Sequence, residues 1–263
     1  FRGHQRLQAI NTEKERIGNE LRIASGIQMG MLPKTFPPYP DLDELAMAGS
    51  LVPAKEVGGD LFDFYVRDHK LFFCVGDVSG KGVPASLVMA VTRSLFRTVS
   101  SHTVEPEQVM MQMNNAMSEM NESSMFVTLF IGVLDLTTGT LAYSNAGHCP
   151  PVVITGSDVA PIEMDANIPV GLMTDWEYSR QTVDIVPGTT IFAYTDGLTE
   201  AENAEHGQYG EERMLAALKQ NSNLAPHNLI ASMSDSVHAF VAGAEQSDDL
   251  TMLAIHFITT VKA

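Results

Sequence analysis

Basic side chains are scarce in this sequence. Lys and Arg number 16 against 32 Asp and Glu, a formal net charge of −16. A polyanion such as nucleic acid needs clustered cations to hold it, so nucleic acid is excluded as a partner. Cysteine is also rare, with Cys74 and Cys149 alone among 263 residues. That leaves no disulfide framework and points to a reducing compartment, hence a cytoplasmic location. No stretch is apolar for long enough to span a bilayer. The opening residues Phe1-Arg2-Gly3-His4-Gln5-Arg6 lack an initiator Met and the apolar core of a signal peptide. The chain is therefore expected to be a piece of something longer, with an upstream sensor domain, and the cytoplasmic part of a membrane-anchored sensor fits the same facts.

Two phosphate-handling motifs are missing as well. A Walker-type loop needs four residues between its first Gly and a Gly-Lys-Ser/Thr, whereas three separate Gly76 from Gly80 and Gly82 follows Lys81. A thiol phosphatase needs an Arg close behind its Cys, and neither cysteine has one within the next seven residues. Cys74 instead sits inside the apolar run Leu71-Phe72-Phe73-Cys74-Val75 and reads as a small buried hydrophobe.

That run ends in Gly76-Asp77-Val78-Ser79-Gly80-Lys81-Gly82, and Pro84 then begins a helix. An apolar strand ending in an aspartate and a Gly-rich turn fixes a carboxylate at a sheet edge, where it can reach a ligand. Val57-Gly58-Gly59-Asp60, Ala193-Tyr194-Thr195-Asp196-Gly197 and Ser247-Asp248-Asp249 repeat the arrangement. Four widely separated aspartates in similar settings suggest one shared site for hard cations. The other acids, among them Asp41, Asp43, Glu44, Glu200, Glu202, Glu205, Glu211 and Glu212, read as solvated surface.

Residues 5–32 read as one helix. Leu7, Ile10, Ile17, Leu21, Ala24 and Met31 recur in a 3–4 spacing, with Lys14 and Gln28 filling the remaining positions. Two readings stand side by side: a parallel coiled coil making a homodimer, or an amphipathic helix docked on its own domain. Pro33 stops the helix and Pro37-Pro38-Tyr39-Pro40 makes a connector, so the expected division is 1–40 and 41–263. Strands are then expected at 45–52, 61–66, 71–75, 126–134, 140–144, 150–154, 180–185, 190–194 and 250–257. Helices are expected at 84–100, 105–121, 210–220 and 226–242. Thr138-Gly139 signals one hairpin turn and Pro187-Gly188 another. Hairpin-linked strands interspersed with helix pairs favour an α+β fold, an antiparallel sheet system covered by helices. The stripe Val109, Met113, Met117, Met120 reads as core packing.

These pieces, in this order, resemble a known family. Glu20-Leu21-Arg22-Ile23-Ala24 through Met31-Leu32-Pro33, Glu56-Val57-Gly58-Gly59-Asp60, the Gly76–Gly82 loop, Asn145-Ala146-Gly147-His148, Thr195-Asp196-Gly197-Leu198-Thr199-Glu200-Ala201 and Asp248-Asp249-Leu250-Thr251 are similar to the sporulation stage II E type of serine phosphatase. That type is the bacterial branch of the metal-dependent protein phosphatase 2C superfamily, and the RsbU-like regulators of stress sigma factors are its nearest subgroup here. The resemblance implies two stacked antiparallel sheets flanked by helices. It also implies hydrolysis of phosphoserine or phosphothreonine on a phosphorylated anti-anti-sigma protein. Its metal-binding aspartates fall on Asp60, Asp77, Asp196 and Asp248, with the Val78 carbonyl as a backbone ligand. Cys149 departs from the family, which often has Asn after the Gly-His pair.

The chemistry can be argued beside the family. Two divalent ions about 4 Å apart activate a water and stabilise a transferring phosphoryl group. Carboxylates without a His or Cys cluster suit Mn²⁺ or Mg²⁺ better than Zn²⁺. Asp77 is the expected bridging ligand, with water as the in-line nucleophile and no phosphoenzyme. Asp63, three residues past Asp60 in a strand, is expected on the opposite face. Asp248 and Asp249 likewise face opposite ways; Asp249 is expected to tolerate Asn with most turnover kept. Lys55 and His148 read as a solvated lysine and a structural loop histidine, with substrate contact and proton transfer as their functional alternatives. Two other readings of the whole remain, an inactive signalling module and a binuclear hydrolase of small phosphoesters.

Overall fold

The computed structural model describes residues 2–262; Phe1 and Ala263, the outermost residues of the expected division, lie outside it. Ten strands form two five-stranded antiparallel sheets. One runs β1 (Leu45–Val52), β10 (Leu250–Phe257), β9 (Thr189–Tyr194), β6 (Val152–Thr155), β7 (Asp158–Pro161). The other runs β2 (Asp60–Arg67), β3 (Lys70–Val78), β4 (Val127–Asp135), β5 (Thr140–Ala146), β8 (Gln181–Asp184). Sheet faces with an apolar side must bury it, and here the inner faces meet through Phe62, Phe64, Phe73, Phe130, Leu253 and Phe257. Each such side chain, fully buried, stabilises the fold by roughly 1.5–3 kcal/mol. The α+β sandwich expected from the sequence is the observed one.

Helices cover the outer faces. On one side α2 (Gly82–Ser100) and α3 (Pro106–Glu119) lay Met89, Phe96, Val109 and Met113 against Leu61, Phe72, Cys74 and Ile131. On the other, α5 (Gly210–Gln220) and α6 (Pro226–Val241) pack Met214, Leu218, Met233 and Val237 on Phe192, Met252 and Ala254. Strands covered on both faces read as unbroken apolar runs, which is why β3, β4 and β9 lack a polar alternation. Gly132 in β4 has a close-approach reason: a Cβ there would lie 2.4 Å from the Phe73 ring.

Several sequence expectations change. Thr138-Gly139 does turn the β4–β5 hairpin, with Gly139 at φ +78°. Pro187-Gly188 turns no hairpin; it carries the chain from β8 in one sheet to β9 in the other. The short β7 and the one-turn helix α4 (Asp196–Thr199) were not expected. Helix α1 spans Arg2–Met31. Residues 3–17 are exposed throughout, and only its later turns, through Gln28 and on to Leu32, reach the domain. Helix α1 is thus half docked and half projecting. Among the described residues no helix is long and apolar enough to cross a membrane.

Candidate metal centre

The turn Val57-Gly58-Gly59 delivers the chain into β2 with Asp60 first in the strand, and β3 ends in Asp77-Val78. Register places Asp60 opposite Asp77. Alternation puts both on the face shared with Phe62, Phe64, Phe73 and Val75, toward the second sheet. Asp60 is buried, and its Oδ2 accepts from Thr195 Oγ1 and Thr251 Oγ1, both at 2.6 Å. Two hydroxyls, one just past the end of β9 and one in β10, therefore fix this carboxylate from across the sandwich. Val78 is buried, and its carbonyl approaches so closely that a Cβ on Gly59 would sit 3.0 Å from it.

The second sheet supplies the rest. Asp196 begins α4 where β9 ends, and Asp248 lies just ahead of β10. A Cβ on Gly197 would meet the Asp249 carbonyl at 1.8 Å, so only glycine lets α4 press onto this segment. That contact brings Asp196 beside Asp248, and Glu200 joins them one helical turn on. Carboxylate oxygens of Asp196, Glu200 and Asp248 lie within 4.8 Å of one another.

The electrostatics are those of crowded anions. Burial, followed by the charge of Asp196, pushes Asp77 up to about 8. Burial raises Asp60 well above the carboxylate range, with Asp77 and Asp249 adding to it. Asp248 and Glu200 are raised by burial as well, and both feel Asp196. Lys81 offers the opposing charge, with Nζ 4.0 Å from Asp248 Oδ2 and 2.5 Å from the Ser247 carbonyl it donates to. One ammonium is too little for five carboxylates. Asp196 Oδ1 is buried without a hydrogen-bond partner among the described residues, a state that native proteins rarely leave uncompensated. An oxygen-only donor set with an orphaned carboxylate oxygen fits a hard divalent cation.

The expected aspartates Asp60, Asp77, Asp196 and Asp248 thus converge, together with the Val78 backbone. Glu200 corrects the sequence reading, which left it on the surface; its i,i+4 spacing from Asp196 was the signal available. Lys81 was also missed. Asp63 faces away, its carboxylate gripped by Arg97 Nε (2.6 Å) and Nη2 (2.8 Å) with Arg93 Nε at 3.2 Å. Lys55 is exposed. His148 is buried, receives Thr128 Oγ1 on Nδ1 (3.1 Å) and donates from Nε2 to the Tyr194 carbonyl (2.8 Å). Burial depresses it to about 4, so it is a neutral brace for the corner before Asp196. Cys149 Sγ donates to the same carbonyl at 3.2 Å.

Asp249 needs a second correction. Its carboxylate accepts the backbone N–H groups of Ala54 (2.9 Å), Gly59 (2.9 Å) and Asp60 (3.2 Å). It faces away from Asp248 as expected, but it clamps the turn that carries Asp60 and is not an idle neighbour.

Residues 67–258 match the family model of Stage II sporulation protein E, SpoIIE. The chain belongs to the SpoIIE family. Among curated relatives it is 29% identical to Protein IcfG of Synechocystis over 90% of this chain and 42% of that protein. It is 25% identical to the phosphoserine phosphatase RsbU of Bacillus subtilis over 97% of this chain and 74% of RsbU. The chain therefore spans less than half of IcfG and about three quarters of RsbU. Among solved structures, the SiaA-PP2C domain of Pseudomonas aeruginosa superposes with a TM-score of 0.82 at 22% identity, over 93% of this chain and 98% of that one. The RsbU and RsbW domains of a Mycobacterium tuberculosis protein superpose at 0.73 and 24% identity, over 84% and 63%. The fold is that of protein phosphatase 2C.

Proposed function

We propose that this domain removes phosphate from phosphoserine or phosphothreonine on a small anti-anti-sigma protein, in sigma-factor signalling in the cytoplasm. The observation that carries the reading is the convergence of Asp60, Asp77, Asp196 and Asp248 from both sheets, with an unpartnered buried oxygen on Asp196. These four, the Val78 carbonyl and Glu200 would hold two Mn²⁺ or Mg²⁺ ions. Bound divalent ions supply water activation and charge neutralisation at the phosphoryl group.

The chain's own residues explain the rest. Thr195 and Thr251 orient Asp60 and so fix the depth of the site. Half-exposed Lys81, at the rim beside Asp248, adds a positive charge where an incoming phosphate would arrive. Neither cysteine is suited to form a phosphoenzyme: burial pushes the Cys74 and Cys149 thiols up, and neither becomes a thiolate at neutral pH. His148, neutral and doubly hydrogen-bonded, has no free nitrogen for proton transfer.

The name of RsbU, a phosphoserine phosphatase, supports the substrate class. The exposed apolar residues Leu7, Ile10 and Ile17 of α1 support a homodimer through that helix, with an upstream sensor acting on it. The test is phosphate release from phosphorylated anti-anti-sigma proteins against p-nitrophenyl phosphate, with Mn²⁺, with Mg²⁺ and in chelator. Metal-dependent release from the phosphoprotein is expected. Release from the small ester alone favours a small-phosphoester hydrolase, and release from neither favours an inactive module.

A further inference from the structure

The turn Val57-Gly58-Gly59-Asp60 is buried along its whole length, so each of its backbone polar groups needs a partner inside the protein. Three consecutive N–H groups, those of Gly58, Gly59 and Asp60, find theirs in two side chains. Asp249 takes Gly59 and Asp60 from the side of β10. Gly58 is held from the opposite direction by helix α1. Gln28 Nε2 donates to the Gly58 carbonyl at 2.6 Å, and Gln28 Oε1 accepts the Gly58 N–H at 3.1 Å. One amide thus satisfies both polar groups of one residue. Among the described polar residues of α1, Gln28 is the buried one, at 8% exposure. The sequence placed it on a coiled-coil seam; in the structure it is turned into its own domain.

We propose that Gln28 is a positioning residue for Asp60, through which helix α1 sets how well the carboxylate cluster is formed. Asp60 is two residues from the Gln28 clasp, and its carboxylate is already constrained by Thr195 and Thr251. Withdrawal of α1 would remove both hydrogen bonds from Gly58 at once and leave buried backbone groups unpaired. The turn would then reorganise, and Asp60 with it. The inference rests on the reading of Asp60 as a metal-holding residue.

The test substitutes Gln28→Met, which keeps the length and bulk of the side chain but can neither donate to nor accept from Gly58. Mn²⁺ affinity is measured by calorimetry, and amide hydrogen exchange is followed at Gly58, Gly59 and Asp60. Mn²⁺ binding should weaken by about 10–100-fold, the usual effect of removing a partner that orients a ligand. Exchange at the turn should accelerate, and turnover should largely recover at saturating Mn²⁺. Gln28→Glu repeats the measurement if Gln28→Met does not fold; it keeps the acceptor for the Gly58 N–H and sets an oxygen against the Gly58 carbonyl, and should also weaken Mn²⁺ binding. Exposed Gln8→Met is the control and should change nothing. Unaltered Mn²⁺ affinity in a folded Gln28 variant, with only a lower melting temperature, would make Gln28 a packing residue and overturn the proposal. Asp60→Asn separates the two ideas: if it too binds Mn²⁺ normally, the metal reading of Asp60 fails, and the proposal with it.

Discussion

Asp60 faces Asp77 directly across the β2–β3 ladder, on the side of the sheet turned into the sandwich. Like charges opposite one another on neighbouring strands destabilise a sheet, and here Asp196, Glu200 and Asp248 crowd in from the other sheet. The arrangement makes sense with cations between the carboxylates. Excess chelator is therefore expected to abolish phosphate release, and Mn²⁺ to restore it. Mn²⁺ should also raise the melting temperature, since a ligand at 100 times its Kd stabilises by about 2.7 kcal/mol. Full turnover in chelator, with a melting temperature indifferent to Mn²⁺, would refute the metal assignment.

The metal-free protein should show the same crowding in its pH dependence. Asp77 titrates at about 8 when folded, against an ordinary value of 3.8. Between those values the folded state holds a proton that the unfolded state has released, so stability falls as pH rises from about 4 to about 8. Asp77→Asn should flatten this fall in thermal melts recorded in chelator. His148 acts in the opposite sense: its depression to about 4 costs stability as pH drops below 6.5. The difference between the unaltered protein and Asp77→Asn reports Asp77 together with its push on Asp60. An equal slope in both would show that Asp77 is not the group responsible.

Asp248 and Asp249 should separate turnover from stability. Asp248→Asn removes a member of the metal cluster and is expected to lower turnover by more than about a hundredfold, since even partners one step removed from an ion cost about 10–100-fold. Its metal-free melting temperature should hold or rise as repulsion from Asp196 is relieved. Asp249→Asn turns an amide N–H toward backbone donors that the carboxylate now accepts. Leaving a buried group unsatisfied costs about 1–3 kcal/mol, so this variant should melt lower and bind Mn²⁺ more weakly. A normal melting temperature for Asp249→Asn would remove the clamp assigned to it.

The sandwich and most of the site were legible in the sequence for one physical reason. An aspartate where a turn meets an apolar strand is a local pattern; Asp60, Asp77, Asp196 and Asp248 each carry it, the first three with a glycine beside them. What was illegible depends on contacts between distant segments. Glu200 looks like a surface acid until α4 presses Gly197 onto Asp249. Asp249 looks like a spare carboxylate until the Gly58-Gly59 turn folds over it. Gln28 matched a heptad position because burial against one's own domain and burial against a partner helix share a spacing. Pro187-Gly188 showed a turn but not which sheet the next strand would join.

Helix α1 supplies the last prediction. Ile10 and Ile17, a heptad apart, are 49% and 45% exposed on the projecting half, with Leu7 at 64%. Apolar residues at that spacing stay in water unless a second helix covers them. The docked half begins near Leu21, which is partly buried, so Ile10 and Ile17 can be changed without disturbing Gln28. Light scattering on the 28.6 kDa chain should give twice that mass at high concentration, and Ile10→Asp with Ile17→Asp should give the monomer. Because neither residue packs in the core, the double variant should still fold. Where dimerisation helps to seat α1, the double variant should bind Mn²⁺ more weakly and lose turnover at limiting Mn²⁺. A monomeric unaltered chain, with normal turnover in the double variant, would reduce α1 to an arm that docks only through its later turns.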